Sequence, residues 1–176
     1  LLELDRHLGR TEPDLRRACR PFAENCGFTI AEGAQFAVLL DDALAVELGA
    51  TIHGAVTDVQ VHADGYKKSI SSPGIGNYIT FAKAVARAVR DIGEEPIRRR
   101  SFVQAHGTGT PQNRTSESQI LSRVAGAFGI EDWPVAAIKC FVGHTMAAAG
   151  GDQLASTLGV FERGILPGIA TIDEVA

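Results

Sequence analysis

The stretch Val103-Gln104-Ala105-His106-Gly107-Thr108-Gly109-Thr110-Pro111 constrains this chain more than any other. Ser101 to Ala105 reads as a β-strand that delivers a histidine at its carboxyl end. A loop of small residues follows. Its two glycines have no Cβ to hold a bound group away, its two threonines offer hydroxyls that donate or accept hydrogen bonds, and the proline ends any ladder. In α/β architectures ligands bind beyond the carboxyl ends of strands. The same design recurs where Val135 to Lys139 runs into Cys140-Phe141-Val142-Gly143-His144. The chain therefore reads as a scaffold that brings His106 and His144 together.

The remaining sequence alternates strand and helix patterns. Residues 1–20 are polar, with Arg16, Arg17 and Arg20 expected on a solvated face. Pro21 to Gly33 reads as an irregular connection. Ala34 to Leu40 is a near-continuous apolar run, the pattern of a strand buried on both faces. A short helix is expected from Ala43 to Leu48, ended by Gly49 in the left-handed conformation. Thr51 to Val61, β-branched and aliphatic, predicts a second strand. A long loop, His62 to Gly76, turns at Ser71-Ser72-Pro73-Gly74, and loops this long are often functional.

Asn77 is expected to cap a helix whose apolar stripe is Ile79, Ala82, Val85, Ala86, Val89 and Ile92, with Gly93 as its stop. Arg98-Arg99-Arg100 reads as solvated loop charge, with docking of an acidic partner as the other reading. Ser116 and Gln119 fit a capping box ahead of the stripe Ile120, Leu121, Val124, Ala127 and Phe128. A last helix is expected from Met146 to Glu162. Its Gly150-Gly151 pair costs about 1 kcal/mol per glycine relative to alanine, which points to a neighbour that needs the space. This order predicts an α/β layered fold with a largely parallel or mixed sheet.

Composition narrows the function classes. The 176 residues suffice for one domain with a sizeable core, and 45% hydrophobic with 22% charged residues is ordinary for a soluble globular protein. A net charge of −4 argues against a dedicated nucleic-acid binder. No apolar run reaches the length of a membrane span, and no basic-then-apolar leader opens the chain. Three cysteines, Cys19, Cys26 and Cys140, match neither a zinc site nor a disulfide framework, so a cytoplasmic setting is expected. Leu1 stands where a methionine would begin a chain, and the segment after Ile165 has no closing element, so both ends read as incomplete.

Of the five histidines, His7, His53 and His62 are read as structural. His106 and His144 differ, because each follows a predicted strand and stands beside glycine. Two neutral imidazoles at one spot can each donate an N–H to an oxygen that gains negative charge, as in an enolate or a tetrahedral oxyanion. Lys139, near the end of its predicted strand, needs a carboxylate partner if buried, and Glu117 is the candidate. Two histidines and Glu117 could in principle ligate a metal, but the spacing does not support it and Lys139 would repel a cation. Gly107 to Thr110 lacks both the Walker lysine and the third glycine of a dinucleotide loop.

At these residues the chain resembles the β-ketoacyl synthases of fatty-acid and polyketide assembly, in the thiolase-like superfamily. His106 to Pro111 matches the family's first histidine motif, Glu117 its buried glutamate, and Lys139 through His144 its lysine-to-histidine motif, with Cys140 where serine is common. Arg20-Pro21-Phe22, Gly27-Phe28 and Glu32-Gly33-Ala34 resemble the opening of the family's carboxyl-terminal half, and Gly164 to Pro167 the segment after its last helix. The resemblance implies one half of a thiolase-like layered fold over residues 1–176, with 1–20 as a connection from the other half.

The resemblance also implies decarboxylative Claisen condensation of an acyl-cysteine with a malonyl-type extender on acyl carrier protein. His106 and His144 would then be catalytic, Lys139 and Glu117 would support them, and Thr108 and Thr110 would contact the phosphopantetheine arm. No permanently bound cofactor or metal is implied, and the complete protein would be a homodimer. The family's nucleophilic cysteine belongs to the amino-terminal half. Cys19, Cys26 and Cys140 are read as structural, so this chain alone is not expected to condense. Asn113-Arg114 stand where the family usually has Gly-Asp, and Asn25-Cys26 replace a frequent Arg-Asp. Two other readings are a non-catalytic ketosynthase-like subunit that binds carrier protein or a partner half, and a thiolase-like enzyme acting on coenzyme A esters.

Overall fold

The computed structural model describes residues 6, 7, 9, 14–25, 27–64 and 74–175. Two parallel strands lie at its centre, β1 (Val103–Gln104) and β2 (Val135–Ala136), with Val103 opposite Val135 and Gln104 opposite Ala136. The helices are α1 (Asp42–Glu47), α2 (Ile75–Ile92), α3 (Glu94–Arg100), α4 (Pro111–Phe128), α5 (Lys139–Val142) and α6 (Ala149–Arg163). A 3-10 turn, Met146–Ala148, leads into α6, and another, Leu15–Cys19, lies in the opening segment.

The α2 stripe meets α4. Val85, Ile120, Val124 and Ile130 form one buried cluster, joined by Phe81, Val89 and Trp133. Phe22, Val103, Ala105 and Ala137 form the second, directly under the carboxyl ends of the strands. Phe81 stacks on Trp133 at 5.4 Å between both clusters, so the helical layer and the strand pair share one core.

The boundaries differ from the sequence reading in instructive ways. Asn77 does not cap α2. Gly74, at φ +78°, is the N-cap, and the carboxylate of Asp64 accepts the Gly76 N–H at 2.5 Å from across the loop. The expected turn at 71–73 lies outside the described residues. Ser116 does not open α4 either, because Thr110 does: its hydroxyl accepts the Asn113 N–H at 3.3 Å, and Pro111 takes the first helical position, where a missing N–H costs nothing. Ser116 is inside the helix and donates to the Gln112 carbonyl at 3.0 Å.

Arg98 to Arg100 are the last turn of α3 rather than loop, where cations complement the carboxyl-terminal partial charge. Arg98 pairs with Glu94 at 3.0 Å and donates to the Phe128 carbonyl at 2.9 Å. The basic cluster near the start is not a solvated face. Arg17 and Arg20 are buried, Arg17 facing Glu24 at 3.4 Å and Arg20 bound to Asp14. Arg16 alone stays exposed, paired with Asp173 at 2.8 Å.

The largest departure concerns 34–40 and 51–61. Both run without regular secondary structure, and Phe36 and Val38 are 97% and 84% exposed. A strand exists only when its N–H and C=O groups find a ladder partner, and no described segment lies alongside these two as one. They do touch α6: Gln35 donates to Asp152, and Gly54 lies against Leu158 and Phe161. Gly151 answers the expectation for the Gly150-Gly151 pair, since a Cβ there would stand 2.5 Å from the Gln35 Oε1. Gly150 faces open space.

Candidate functional site

His106 emerges at the end of β1, and both of its peptide groups are held. Glu117, one and a half turns into α4, accepts the His106 N–H at 2.7 Å on Oε1 and the Gly107 N–H at 2.8 Å on Oε2. Lys139 Nζ donates to the His106 carbonyl at 2.6 Å. The expected ion pair between Lys139 and Glu117 is therefore replaced by a clamp. The cation holds one end of the histidine backbone and the carboxylate the other. Lys139 does this from the first position of α5, since the predicted strand ends earlier, at Ala136. Gln153 of α6 adds a hydrogen bond to the Ala105 carbonyl at 2.5 Å.

His144 is fixed by a segment the sequence reading left as irregular. Its N–H donates to the Thr29 carbonyl at 2.8 Å and its carbonyl accepts the Ala31 N–H at 3.1 Å, a single parallel bridge centred on Ile30. The Met146 N–H donates to His144 Nδ1 at 3.1 Å, which places the ring proton on Nε2. The Phe28 ring lies 5.0 Å away. The two imidazoles meet edge to face, centroids 5.5 Å apart at 81°, as the sequence reading expects.

The electrostatics keep both rings neutral. Loss of hydration pushes His106 down to about 4, helped by the Lys139 charge and then by His144. Its residue surface is still exposed to a cavity of about 500 Å³ that Gln104, Asn113 and Glu117 also line, so the ring is crowded without being covered. His144 is lowered by the same two causes, burial first and Lys139 second. Lys139, only 2% exposed, is itself lowered by burial, which the charge of Glu117 partly offsets. A neutral ring with its proton fixed on Nε2, as in His144, is a donor suited to an oxygen that becomes an anion.

Neither described cysteine is poised as a nucleophile. Burial raises both Cys19 and Cys140 above the ordinary thiol value, and the Cys19 thiol donates to the Lys139 carbonyl at 3.0 Å. A thiol held above its ordinary value stays protonated near neutral pH and is a poor nucleophile. Cys26 lies outside the described residues. His53 is exposed, and His62 lies 3.0 Å from Lys83.

The loop glycines turn out to approach protein rather than an external group. A Cβ on Gly109 would stand 2.0 Å from the Gly27 carbonyl oxygen, and one on Gly107, at φ +53°, 2.6 Å from Ala137 Cβ. The Thr108 and Thr110 hydroxyls meet at 3.1 Å. Sequence reasoning missed Gln153 and the Thr29–Ala31 bridge, because each reaches the site from a distant stretch with no local pattern to mark it, and it saw Phe28 only as part of the resembled opening segment, with no place at the site. Asn113 was visible only as a departure from the resembled motif. Its Nδ2 donates to Glu117 Oε2 at 2.7 Å.

A helical layer on a parallel strand pair, with His106 at the end of β1 and His144 just beyond α5, is part of the thiolase-like fold. The chain belongs to the β-ketoacyl synthases: the family described as "Beta-ketoacyl synthase, C-terminal domain" matches residues 53–173. It is 64% identical over 168 residues to the β-ketoacyl-[acyl-carrier-protein] synthase FabY of Pseudomonas aeruginosa, covering 96% of this chain and 26% of that protein. The crystal structure of that ketosynthase has a TM-score of 0.91 at 62% identity, over 98% of this chain and 27% of its own. The actinorhodin polyketide putative β-ketoacyl synthase 1 of Streptomyces coelicolor is 30% identical over 161 residues, 90% of this chain and 33% of that protein. The chain thus spans about a quarter of FabY. Among the described residues no helix is long and apolar enough to cross a membrane.

Proposed function

We propose that residues 1–176 form the carboxyl-terminal half-domain of a β-ketoacyl synthase, with 1–20 as its connection, and that they supply the histidine pair of a decarboxylative Claisen condensation. The observation that carries this reading is the pair itself: two neutral imidazoles 5.5 Å apart, His144 with its Nε2–H free to donate. A malonyl thioester on the phosphopantetheine arm of acyl carrier protein presents its carbonyl oxygen to the pair. Its C–CO2 bond breaks, CO2 leaves, and the electron pair forms an enolate whose oxygen accepts the histidine N–H groups. The enolate carbon then attacks the thioester carbonyl of an acyl-cysteine. A C–C bond forms, the tetrahedral oxyanion collapses, and the cysteine leaves as thiolate.

The chain's own residues act before and during that sequence. Lys139 and Glu117 hold His106 in place, and the Lys139 charge disfavours a second cation, which keeps the rings neutral with one N–H each to donate. Thr108 and Thr110 are the proposed contacts for the arm. The cysteine that carries the acyl group comes from outside this segment in this reading: Cys19 is buried and Cys140 half-buried, both thiols are pushed up by loss of hydration, and Cys26 is read as structural. Partners in this reading are acyl carrier protein, the amino-terminal half and a second copy in a homodimer.

The test replaces His106 and His144 singly by alanine in the full-length polypeptide. Removing one oxyanion donor costs about 100- to 1,000-fold, so malonyl-carrier decarboxylation should fall by that much while acyl loading of the cysteine persists. Undiminished decarboxylation in both variants would sink the assignment and leave a carrier-binding subunit as the function to examine.

A further inference from the structure

The geometry points to Asn113 as a positioning residue for His106, acting through Glu117. Three observations meet at this side chain. First, the Glu117 carboxylate takes three donors: His106 N–H at 2.7 Å on Oε1, and Gly107 N–H at 2.8 Å and Asn113 Nδ2 at 2.7 Å on Oε2. With only the two backbone donors, the carboxylate could rotate about its own stem and carry the His106 peptide with it. The third donor comes from the same helix, one turn earlier, and fixes the carboxylate plane relative to α4.

Second, the Asn113 side chain is free for this task. Its backbone N–H is already capped by the Thr110 hydroxyl, which also meets Thr108. One residue therefore ties the carboxylate that holds His106 to the threonine loop that follows it. Third, the next residue anchors the helix start: Arg114 donates to the Ala23 carbonyl at 3.1 Å, so the platform under Asn113 is itself tied to the opening segment.

An ordinary i,i+4 pair on a helix surface adds only about 0.2–0.5 kcal/mol of helix stability and touches nothing else. Here the acceptor is already committed to the histidine backbone, so the pair sets the direction of the ring toward His144. A reacting group misplaced by about 1 Å can cost 100-fold in rate. The donor is also uncharged. An arginine or lysine at 113 would neutralise the carboxylate whose charge supports buried Lys139, whereas the amide fixes it without doing so.

This inference rests on the histidine reading above, and the experiment separates the two. Asn113→Ala, Asn113→Gln and Asn113→Leu are made in the full-length polypeptide, and Asn113→Ala also in a Glu117→Gln background. Malonyl-carrier decarboxylation, acyl loading and the thermal midpoint are measured, with His106→Ala alongside. A hydrogen bond to a charged group corresponds to about 10-fold or more. Decarboxylation should therefore fall about 10-fold in Asn113→Ala and in the volume-matched Asn113→Leu, with loading unchanged. Asn113→Gln, which can still reach one turn along the helix, should recover most of the rate. In the Glu117→Gln background Asn113→Ala should cost less than about twofold, because residues acting through one another are not additive.

Equal losses in loading and decarboxylation, full activity in Asn113→Leu, or the same fold loss in both backgrounds would overturn the role. If His106→Ala itself decarboxylates normally, the histidine reading falls instead, whatever the Asn113 variants do.

Discussion

His106 shows how a single residue is governed by its surroundings. Its imidazole titrates near 4 instead of 6.5, first because it is poorly hydrated and second because Lys139 lies beneath it. Between those values the unfolded chain binds a proton that the folded chain refuses. Stability from this group is therefore complete above pH 6.5 and is lost as pH falls toward 4. His106→Asn removes the titrating group at similar polarity, so its stability should decline less than wild type between pH 7 and pH 4.5. Denaturant unfolding of both proteins at the two pH values checks this, and parallel declines would show that the shift is absent. The proximity of His106 and His144 was legible in the sequence, because a glycine stands beside each and each follows a strand pattern, although the strand before His144 ends at Ala136 and a helical turn intervenes. The clamp on His106 was legible only as a pair of residue types. Its true form, one residue on each end of a peptide, depends on Lys139 opening a helical turn, which a strand pattern conceals.

At the scale of elements, the helices α2 and α4 were readable because their apolar stripes are local and periodic. Their caps were not, since Asp64 reaches α2 from twelve residues upstream and Thr110 belongs equally to a loop motif and to a helix start. The glycines of the His106 loop carry element packing. Gly109 lets that loop close on Gly27, whose N–H donates to the Gly109 carbonyl at 2.8 Å. Gly109→Ala puts a methyl 2.0 Å from the Gly27 carbonyl oxygen, a backbone atom that cannot rotate away. Overpacking of this kind costs about 1–3 kcal/mol, and a backbone clash belongs at the upper end. Gly126, inside α4, meets nothing within 4 Å of its Cβ position, so Gly126→Ala should gain about 0.5–1 kcal/mol from helix propensity. Denaturant midpoints of the two variants should move in opposite directions. Movement the same way would mean that the His106 loop does not depend on its close approach to Gly27.

For the whole molecule, the instructive fact is that four strands were expected and two form ladders. The apolar runs 34–40 and 51–61 are written like buried strands, yet each touches α6 without a ladder partner, and Phe36 remains 97% exposed. A sequence pattern reports the burial a segment is built for, while a ladder also needs a neighbour, and this chain spans about a quarter of FabY. Extended, apolar and unpaired, such segments are templates for pairing with another chain. In the full-length polypeptide they should therefore acquire strand partners that the residues described here do not offer. Hydrogen–deuterium exchange distinguishes the two states directly, because unpaired amides exchange nearly freely and laddered core amides open only with free energies approaching that of global unfolding. Amides of 34–40 and 51–61 should exchange within seconds in the isolated chain and at least about 100-fold more slowly in the full-length protein. Amides of α4 should be protected in both, since Val124 and Ile120 pack against Val85 within this chain. Fast exchange of the two apolar runs in the full-length protein would mean that they are surface segments, and that their hydrophobicity serves an encounter with a different chain.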